Sequence, residues 1–296
     1  MAAPPVLVIG DLLYDMLVKV DGDLTLGTDT FVPIRVAAGG SGANAAAWLA
    51  HSGVETSFVG RVGDDIFGGF LEGEMERVGV SPHLARDPSL PTGKVFVLVD
   101  GAGERTMITD RGAGEALGPD DLPETLFSRG HLHLSGYTLS GGSRREAATK
   151  ALRLAREAGM TVSVDPSSVP LLESVGPERF LGWTRGADLL FPNLAEGKTL
   201  TGERDPDLIL KKLLPYYRAV ALKLGPEGAA YSDGTGDTLR VSAAPARVED
   251  TTGAGDAFSA GFLADWLARG STEEALRRGA GVAARAVGRV GARPGD

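Results

Sequence analysis

Residues 131–165 read HLHLSGYTLSGGSRREAATKALRLAREAGMTVSVD. Short apolar runs at 131–134 and 161–165 suit buried strands, and the stretch between them, 144–158, reads as a helix. A strand, a helix and a strand in that order form a βα unit, in which the helix returns the chain so that both strands run parallel. The alternation continues with strands at 188–191 and 219–224, a hairpin at 229–233 and 238–241, and helices at 254–269 and 272–287. Upstream, VLVIG at 6–10 is a buried strand, 31–37 a further strand, 39–50 a glycine-led, alanine-rich helix and 56–62 a strand. Phe67, Leu71, Met75 and Val78 recur at helical spacing, which predicts an amphipathic helix over about 64–79.

A hairpin over 94–100 and 105–108, turning at Gly101-Ala102-Gly103, does not fit the alternation, and neither does the material at 12–38. Both are expected to build a small β-rich flap. The fold class is therefore α/β: a mostly parallel central sheet flanked by helices, with a β lid formed by inserts around 12–38 and 92–110. No repeat, low-complexity tract or linker divides the chain, so 1–296 is expected to be one domain.

Of the 296 residues, 43% are hydrophobic and 23% charged, a balance that supports a core without covalent staples. There is no cysteine, which excludes a disulfide framework, a thiolate zinc site and a cysteine nucleophile, and suits a reducing compartment. A net charge of −9 argues against a nucleic-acid partner, because a phosphate-backbone binder presents a basic face. An anionic ligand must then be held locally, by backbone amides, a helix terminus and metal. Residues 1–5 carry no basic stretch, the run at 6–9 is too short for a signal peptide, and no apolar run approaches ~18 residues. A cytoplasmic protein without a membrane span is expected.

The chemistry lies in Glu249-Asp250-Thr251-Thr252-Gly253-Ala254-Gly255-Asp256-Ala257-Phe258. Three small residues, Gly253, Ala254 and Gly255, precede a predicted helix. Such a turn lets backbone N–H groups converge at the positive end of the helix dipole, a site for phosphate oxygens. Asp256 then falls in the first helical turn, within reach of anything docked there. Phosphoryl transfer needs this pairing: donors neutralise the migrating group while a carboxylate accepts the proton of the attacking hydroxyl. By itself, a short glycine motif followed by Asp is also an ordinary tight turn with a favourable charge at a helix start.

Asp250-Thr251-Thr252-Gly253-Ala254-Gly255-Asp256 is similar to the C-terminal signature of the ribokinase family, also called the PfkB carbohydrate kinases. Gly39-Gly40-Ser41-Gly42-Ala43-Asn44, followed by Gly60-Arg61-Val62-Gly63-Asp64-Asp65-Ile66-Phe67-Gly68, resembles its N-terminal signature. Asn193-Leu194-Ala195-Glu196 resembles its Asn-x-x-Glu motif, and Lys223-Leu224-Gly225-Pro226-Glu227-Gly228-Ala229 its nucleotide-side strand and turn. The matches occur in family order. The resemblance implies a ribokinase-like fold and transfer of the γ-phosphate of ATP to a hydroxyl of a sugar or sugar-like molecule, with a nucleoside as the alternative acceptor. It implies ATP and Mg²⁺ as cofactors, a monovalent cation such as K⁺ as a further one, and a homodimer formed through the lid strands.

By the same resemblance, Asp256 is the general base, and Gly253, Ala254 and Gly255 supply the anion hole. Asn193 and Glu196 order Mg²⁺ and phosphate, often through water. Asn followed three residues later by Glu is also a capping-box pattern, and both roles can hold at once. Gly225 and Gly228 bring backbone to ATP, and Lys223 points to the same region. For the acceptor, Asp15 is the family's hydroxyl-binding position and Asp11 a second candidate, since a carboxylate accepts two such hydrogen bonds. Gly40, Ser41 and Asn44 line the acceptor side, and Asp165 ends a strand facing the cleft. Arg105 and Arg111 lie near the flap, where a surface role is equally open. The chain departs from ribokinase at three polar positions, with Leu13 for Asn, Ser41 for Lys and Ser135 for Glu. Polar ribose contacts are thus partly missing; ribose is not the first expectation, and a larger or less polar acceptor, even a nucleoside, is open.

Two other patterns compete. Gly40-Ser41-Gly42-Ala43-Asn44-Ala45 fits a dinucleotide-binding G-x-G-x-x-A, with Asp64 and Asp65 about 20 residues on, as in NAD(P) oxidoreductases. That reading leaves 250–256 unexplained. Gly197-Lys198-Thr199 has the end of a P-loop, but Pro192 stands where the first Gly is required. A non-catalytic nucleotide binder on the same fold would have no need of Asp256.

Overall fold

The computed structural model describes every residue except 1, 21, 23–26, 101–104 and 296. In chain order, β1 (Val6–Ile9) leads into β2 (Leu13–Lys19) and β3 (Ile34–Gly39), then α1 (Ser41–His51), β4 (Thr56–Gly63), α2 (Ile66–Arg77), β5 (Val80–Asp87), β6 (Thr92–Val99) and β7 (Arg105–Gly112). There follow β8 (His131–Ser135), α3 (Gly142–Glu157), β9 (Thr161–Asp165), α4 (Val169–Val175), α5 (Pro177–Thr184), β10 (Leu189–Leu190), α6 (Leu194–Thr201) and α7 (Pro206–Leu213). The chain closes with β11 (Ala219–Lys223), β12 (Ala229–Ser232), β13 (Leu239–Val241), α8 (Ala254–Leu267) and α9 (Thr272–Val287).

One large sheet runs in the order β13-β12-β11-β10-β9-β8-β1-β4-β5. All its pairings from β11 to β5 are parallel, and β12 and β13 are antiparallel additions at one edge. The β8-α3-β9 unit sits in its middle, with His131 opposite Thr161 and Ser135 opposite Asp165. Helices cover both faces. Val6 and Val8 of β1 point into a layer with Trp48, Leu71, Phe262 and Leu276, whereas Leu7 and Ile9 point into one with Ala148, Leu172, Phe180 and Ile209. Double coverage is why the central strands are uninterrupted apolar runs.

The lid is a second sheet, β3-β2-β6-β7. Parallel pairing of β2 with β6 joins the two inserts into one flap, and β3 and β7 add antiparallel edges. The expected turn at 101–103 lies outside the described residues. Leu13, Leu17, Val95, Val97 and Val99 cluster on one lid face, as the two-residue period of paired strands requires.

Several elements differ from expectation. The strand expected at 31–37 begins later, at Ile34, and that at 188–191 shrinks to Leu189–Leu190. Strand β5 was not foreseen, because VSPHLARD contains Pro82 and little apolar alternation; it is tolerated as a sheet edge. Helices α4 to α7 span only seven or eight residues each, too short for a helical period to show.

Candidate active site

The site gathers where β1, β8, β9 and β11 end, the edge at which open parallel sheets receive ligands. Asp256 lies in the first turn of α8. Ser41 Oγ donates to its Oδ1 at 2.9 Å and Asn44 Nδ2 to its Oδ2 at 3.1 Å, across 215 and 212 residues of sequence. Burial raises the carboxyl pKa to about 7 and nearby Asp165 adds to the rise, while Ser41, Asn44 and Lys223 favour the ionised form.

Gly253 opens α8 in the left-handed conformation, φ 73°, and a Cβ there would come 2.6 Å from Ala292 O. No side chain caps this helix end. Ala254 N donates back to Thr251 O at 3.3 Å, which leaves the amides of Gly255 and Asp256 as the first-turn donors facing outward. Lys223 Nζ stands 3.2 Å from where a Gly255 Cβ would be, adding a cation to the same spot. Burial disfavours the Lys223 charge, but Asp165 and Glu196 outweigh it and hold the ammonium above its ordinary pKa.

Asn193 and Glu196 form the capping box of α6: Asn193 Oδ1 accepts from Glu196 N at 2.9 Å, and Glu196 Oε2 accepts from Asn193 N at 2.8 Å. Glu196 is 2% exposed, and burial raises its pKa to about 7 against the pull of Lys223. Gly225 and Gly228 bracket the turn between β11 and β12.

On the lid side, the Asp15 carboxylate lies directly over Gly39, where any side chain would overlap it. Its Oδ1 is buried with no partner, and burial raises its pKa to about 7 while Arg293 opposes the rise. Gly40 precedes the first residue of α1, so Asp15, Gly40, Ser41 and Asn44 share one wall.

Two candidates already carry protein partners. Asp11 is 4% exposed, and its two oxygens accept from Arg144 Nη2 and Arg111 Nη1. Asp165 is likewise occupied: Oδ1 accepts from Ser167 N at 2.9 Å, and Oδ2 from Lys223 Nζ at 2.7 Å. In both, a cation supplied by distant sequence claims the carboxylate. Arg111 is correspondingly not a loose surface group; its guanidinium also stacks on Tyr137, 4.3 Å from the ring centroid. The side chain of Arg105 lies outside the described residues.

Sequence reasoning missed Arg293. Its Nε donates to Asn44 Oδ1 at 3.2 Å and its Nη2 to Gly39 O at 3.0 Å, while Nη1 is buried without a partner. No local motif marks it; it follows α9 in a short Gly- and Pro-bearing tail.

Comparison with known proteins gives this geometry its context. Residues 4–296 match the pfkB family carbohydrate kinase model. The ATP-dependent ribose-1-phosphate kinase of Halopiger xanaduensis is 33% identical over 290 residues, covering 95% of this chain and 89% of the relative. The 2-dehydro-3-deoxygluconokinase of Bacillus subtilis is 31% identical over 261 residues, covering 84% and 80%. The crystal structure of adenosine kinase from Sinorhizobium meliloti superposes with a TM-score of 0.90 at 28% identity, covering 99% of this chain and 96% of that one. The fold is ribokinase-like, and a signature at each end of the chain converges on one carboxylate; the chain belongs to the pfkB family of carbohydrate kinases, phosphotransferases acting on a sugar-type hydroxyl.

Proposed function

We propose that the protein moves the γ-phosphoryl group of ATP to a hydroxyl of a sugar-like acceptor, with Asp256 as the base. The observation that carries this is the pair of hydrogen bonds from Ser41 and Asn44 to Asp256, which puts an acceptor wall and an uncapped helix N-terminus around one carboxylate. With a pKa raised to about 7, Asp256 is poised to take the proton of the attacking hydroxyl near neutral pH. The amides of Gly255 and Asp256 and the Lys223 ammonium would face the transferred phosphoryl oxygens. Gly225 and Gly228 would place backbone against the nucleotide.

ATP and Mg²⁺ fit the residues present. An uncapped helix end beside a lysine suits phosphate. Among the described residues no cluster of three His, Cys, Asp or Glu forms a metal cage. That suits Mg²⁺, which keeps water and phosphate ligands and would use Glu196 and Asn193 at its margin. Bound there, the ion would neutralise phosphate charge.

Asp15 would accept a hydrogen bond from the acceptor through its unpartnered Oδ1. The lid face beside it carries Leu13, Leu17, Val95 and Val97. An acceptor less polar than ribose suits that surface, and the likeness to an adenosine kinase favours a nucleoside as the second reading. A second copy of the chain would cover the other lid face, where Ile34, Val36 and Ile108 are 61%, 51% and 66% exposed. Among the described residues no helix is long and apolar enough to cross a membrane, and an ATP-consuming, cysteine-free enzyme suits the cytoplasm.

The test is a phosphorylation screen with ATP and Mg²⁺ over ketoses, pentoses, sugar acids, sugar phosphates and nucleosides. Turnover of at least one acceptor in preference to ribose is expected. ATP hydrolysis unaffected by every acceptor would remove the kinase assignment.

A further inference from the structure

The tail that follows α9 is built into the site. Trp48 Nε1 donates to Ala292 O at 2.9 Å, Gly291 N donates to Asp250 Oδ2 at 3.0 Å, and Ala292 packs on Gly253. Held by α1 and by the loop before α8, the tail delivers Arg293 to Asn44 and Gly39. We propose that Arg293 is a positioning residue that keeps Asp256 ionised by fixing the orientation of the Asn44 amide. This rests on the reading of Asp256 as the base.

An asparagine amide has a donor end and an acceptor end, and two orientations fit the same space. With Nδ2 on Asp256 Oδ2 and Oδ1 on Arg293 Nε, Asn44 supports a carboxylate. Rotated by half a turn, it would offer Oδ1 to Asp256, which suits a protonated carboxyl. The rotated amide would then set its NH₂ against a guanidinium, which has donors and no acceptor. Arg293 therefore penalises the arrangement that stabilises protonated Asp256. Ser41, the other donor, has a hydroxyl that turns to donate or accept, so Asn44 is the partner whose direction must be set.

The other groups around Asp256 do not do this work. Asp165 at the end of β9 opposes ionisation, and Lys223 at the end of β11 is shared with Asp165 and Glu196. Tyr137, in the turn after β8, also faces Asp256. Arg293 itself faces Asp15 of the lid, Glu74 and Arg77 of α2, and Asp256, whose charge it also favours directly; the Asn44→Ala background separates that direct effect from the amide. Its guanidinium is held to Asn44 and Gly39 through Nε and Nη2, and a lysine could reproduce its charge but not that fork.

The test needs no acceptor. In protein labelled at the aspartate carboxyl carbon with ¹³C, the Asp256 signal is assigned by its loss in Asp256→Asn, and its titration midpoint is followed in the ligand-free enzyme. Arg293→Met should raise the midpoint by about one pH unit, the scale of one lost hydrogen bond to a charged group. Arg293→Lys, which keeps a cation with donors and no acceptor, should raise it much less. In an Asn44→Ala background the Arg293→Met shift should fall by half or more, since the relay is gone. An unchanged midpoint in Arg293→Met overturns the proposal; so does a full shift in the Asn44→Ala background, because the charge would then act without the amide. Should Arg293→Met fail to fold, Arg293→Gln, whose amide meets either orientation of Asn44, decides in its place, alone and in the Asn44→Ala background. The readout is an equilibrium titration, so it fails or holds separately from the base assignment, which rests on turnover of Asp256→Asn.

Discussion

Asp11 and Asp15 stand on the same short segment, and both face arginine, yet their surroundings differ. Asp11 has each oxygen taken, one by Arg144 of α3 and the other by Arg111 of β7, and Arg144 is tied further to Glu115 at 3.1 Å. Its ion pairs fasten the start of the lid to the main body. Asp15 keeps Oδ1 without a partner, and Arg293, the cation nearest in its electrostatics, keeps Nη1 without one. A buried polar atom left unpaired costs stability, so it persists where something else completes it. The contrast separates a carboxylate held by two protein cations from one that keeps an oxygen unpartnered, although both are Asp beside Arg.

Asp256 sets the largest effect against which the pair is judged. Asp256→Asn should lower kcat by ~10²–10⁴-fold with little change in substrate affinity, because the amide keeps the shape but takes no proton. Steady-state kinetics and calorimetry of ATP binding check this; near wild-type turnover would end the mechanism. Next comes Asp11→Ala, which breaks a buried ion pair and leaves the 1%-exposed Arg144 with only the half-exposed Glu115 as a charge partner. A loss of about 3–5 kcal/mol in urea unfolding is expected. If stability held and acceptor KM rose instead, the roles of the two aspartates would be exchanged.

Asp15→Asn should raise acceptor KM by roughly 10–100-fold, the scale of a hydrogen bond to a charged group, with a smaller effect on kcat. The same variant should show the smallest and most diagnostic effect in its stability. In the folded protein Asp15 holds its proton up to about pH 7, against an ordinary 3.8. Between those values the folded state binds more protons than the unfolded chain, so stability falls as pH rises through the window. Asp15→Asn removes that loss. Its Tm should exceed the wild-type value at pH 7.5 by on the order of 2–4 °C, with the gap closing toward pH 4. A gap that widened on acidification would mean that Asp15 is stabilised as a carboxylate in the ligand-free protein.

Local sequence settled the central architecture, because strand and helix periods are properties of a few consecutive residues. The β8-α3-β9 unit, the lid inserts and the glycine turn before Asp256 were all legible in this way. So was the capping box at Asn193 and Glu196, which closes within three residues. Elements too short or too polar to show a period, such as β5 and α4 to α7, were not. The state of each carboxylate was decided only by tertiary structure. Arg111 and Arg144 reach Asp11 from 100 and 133 residues away, Lys223 reaches Asp165 from 58, and Arg293 reaches Asn44 from 249. Whether an aspartate is spent or available depends on which cation the fold delivers to it, and no spacing along the chain encodes that meeting.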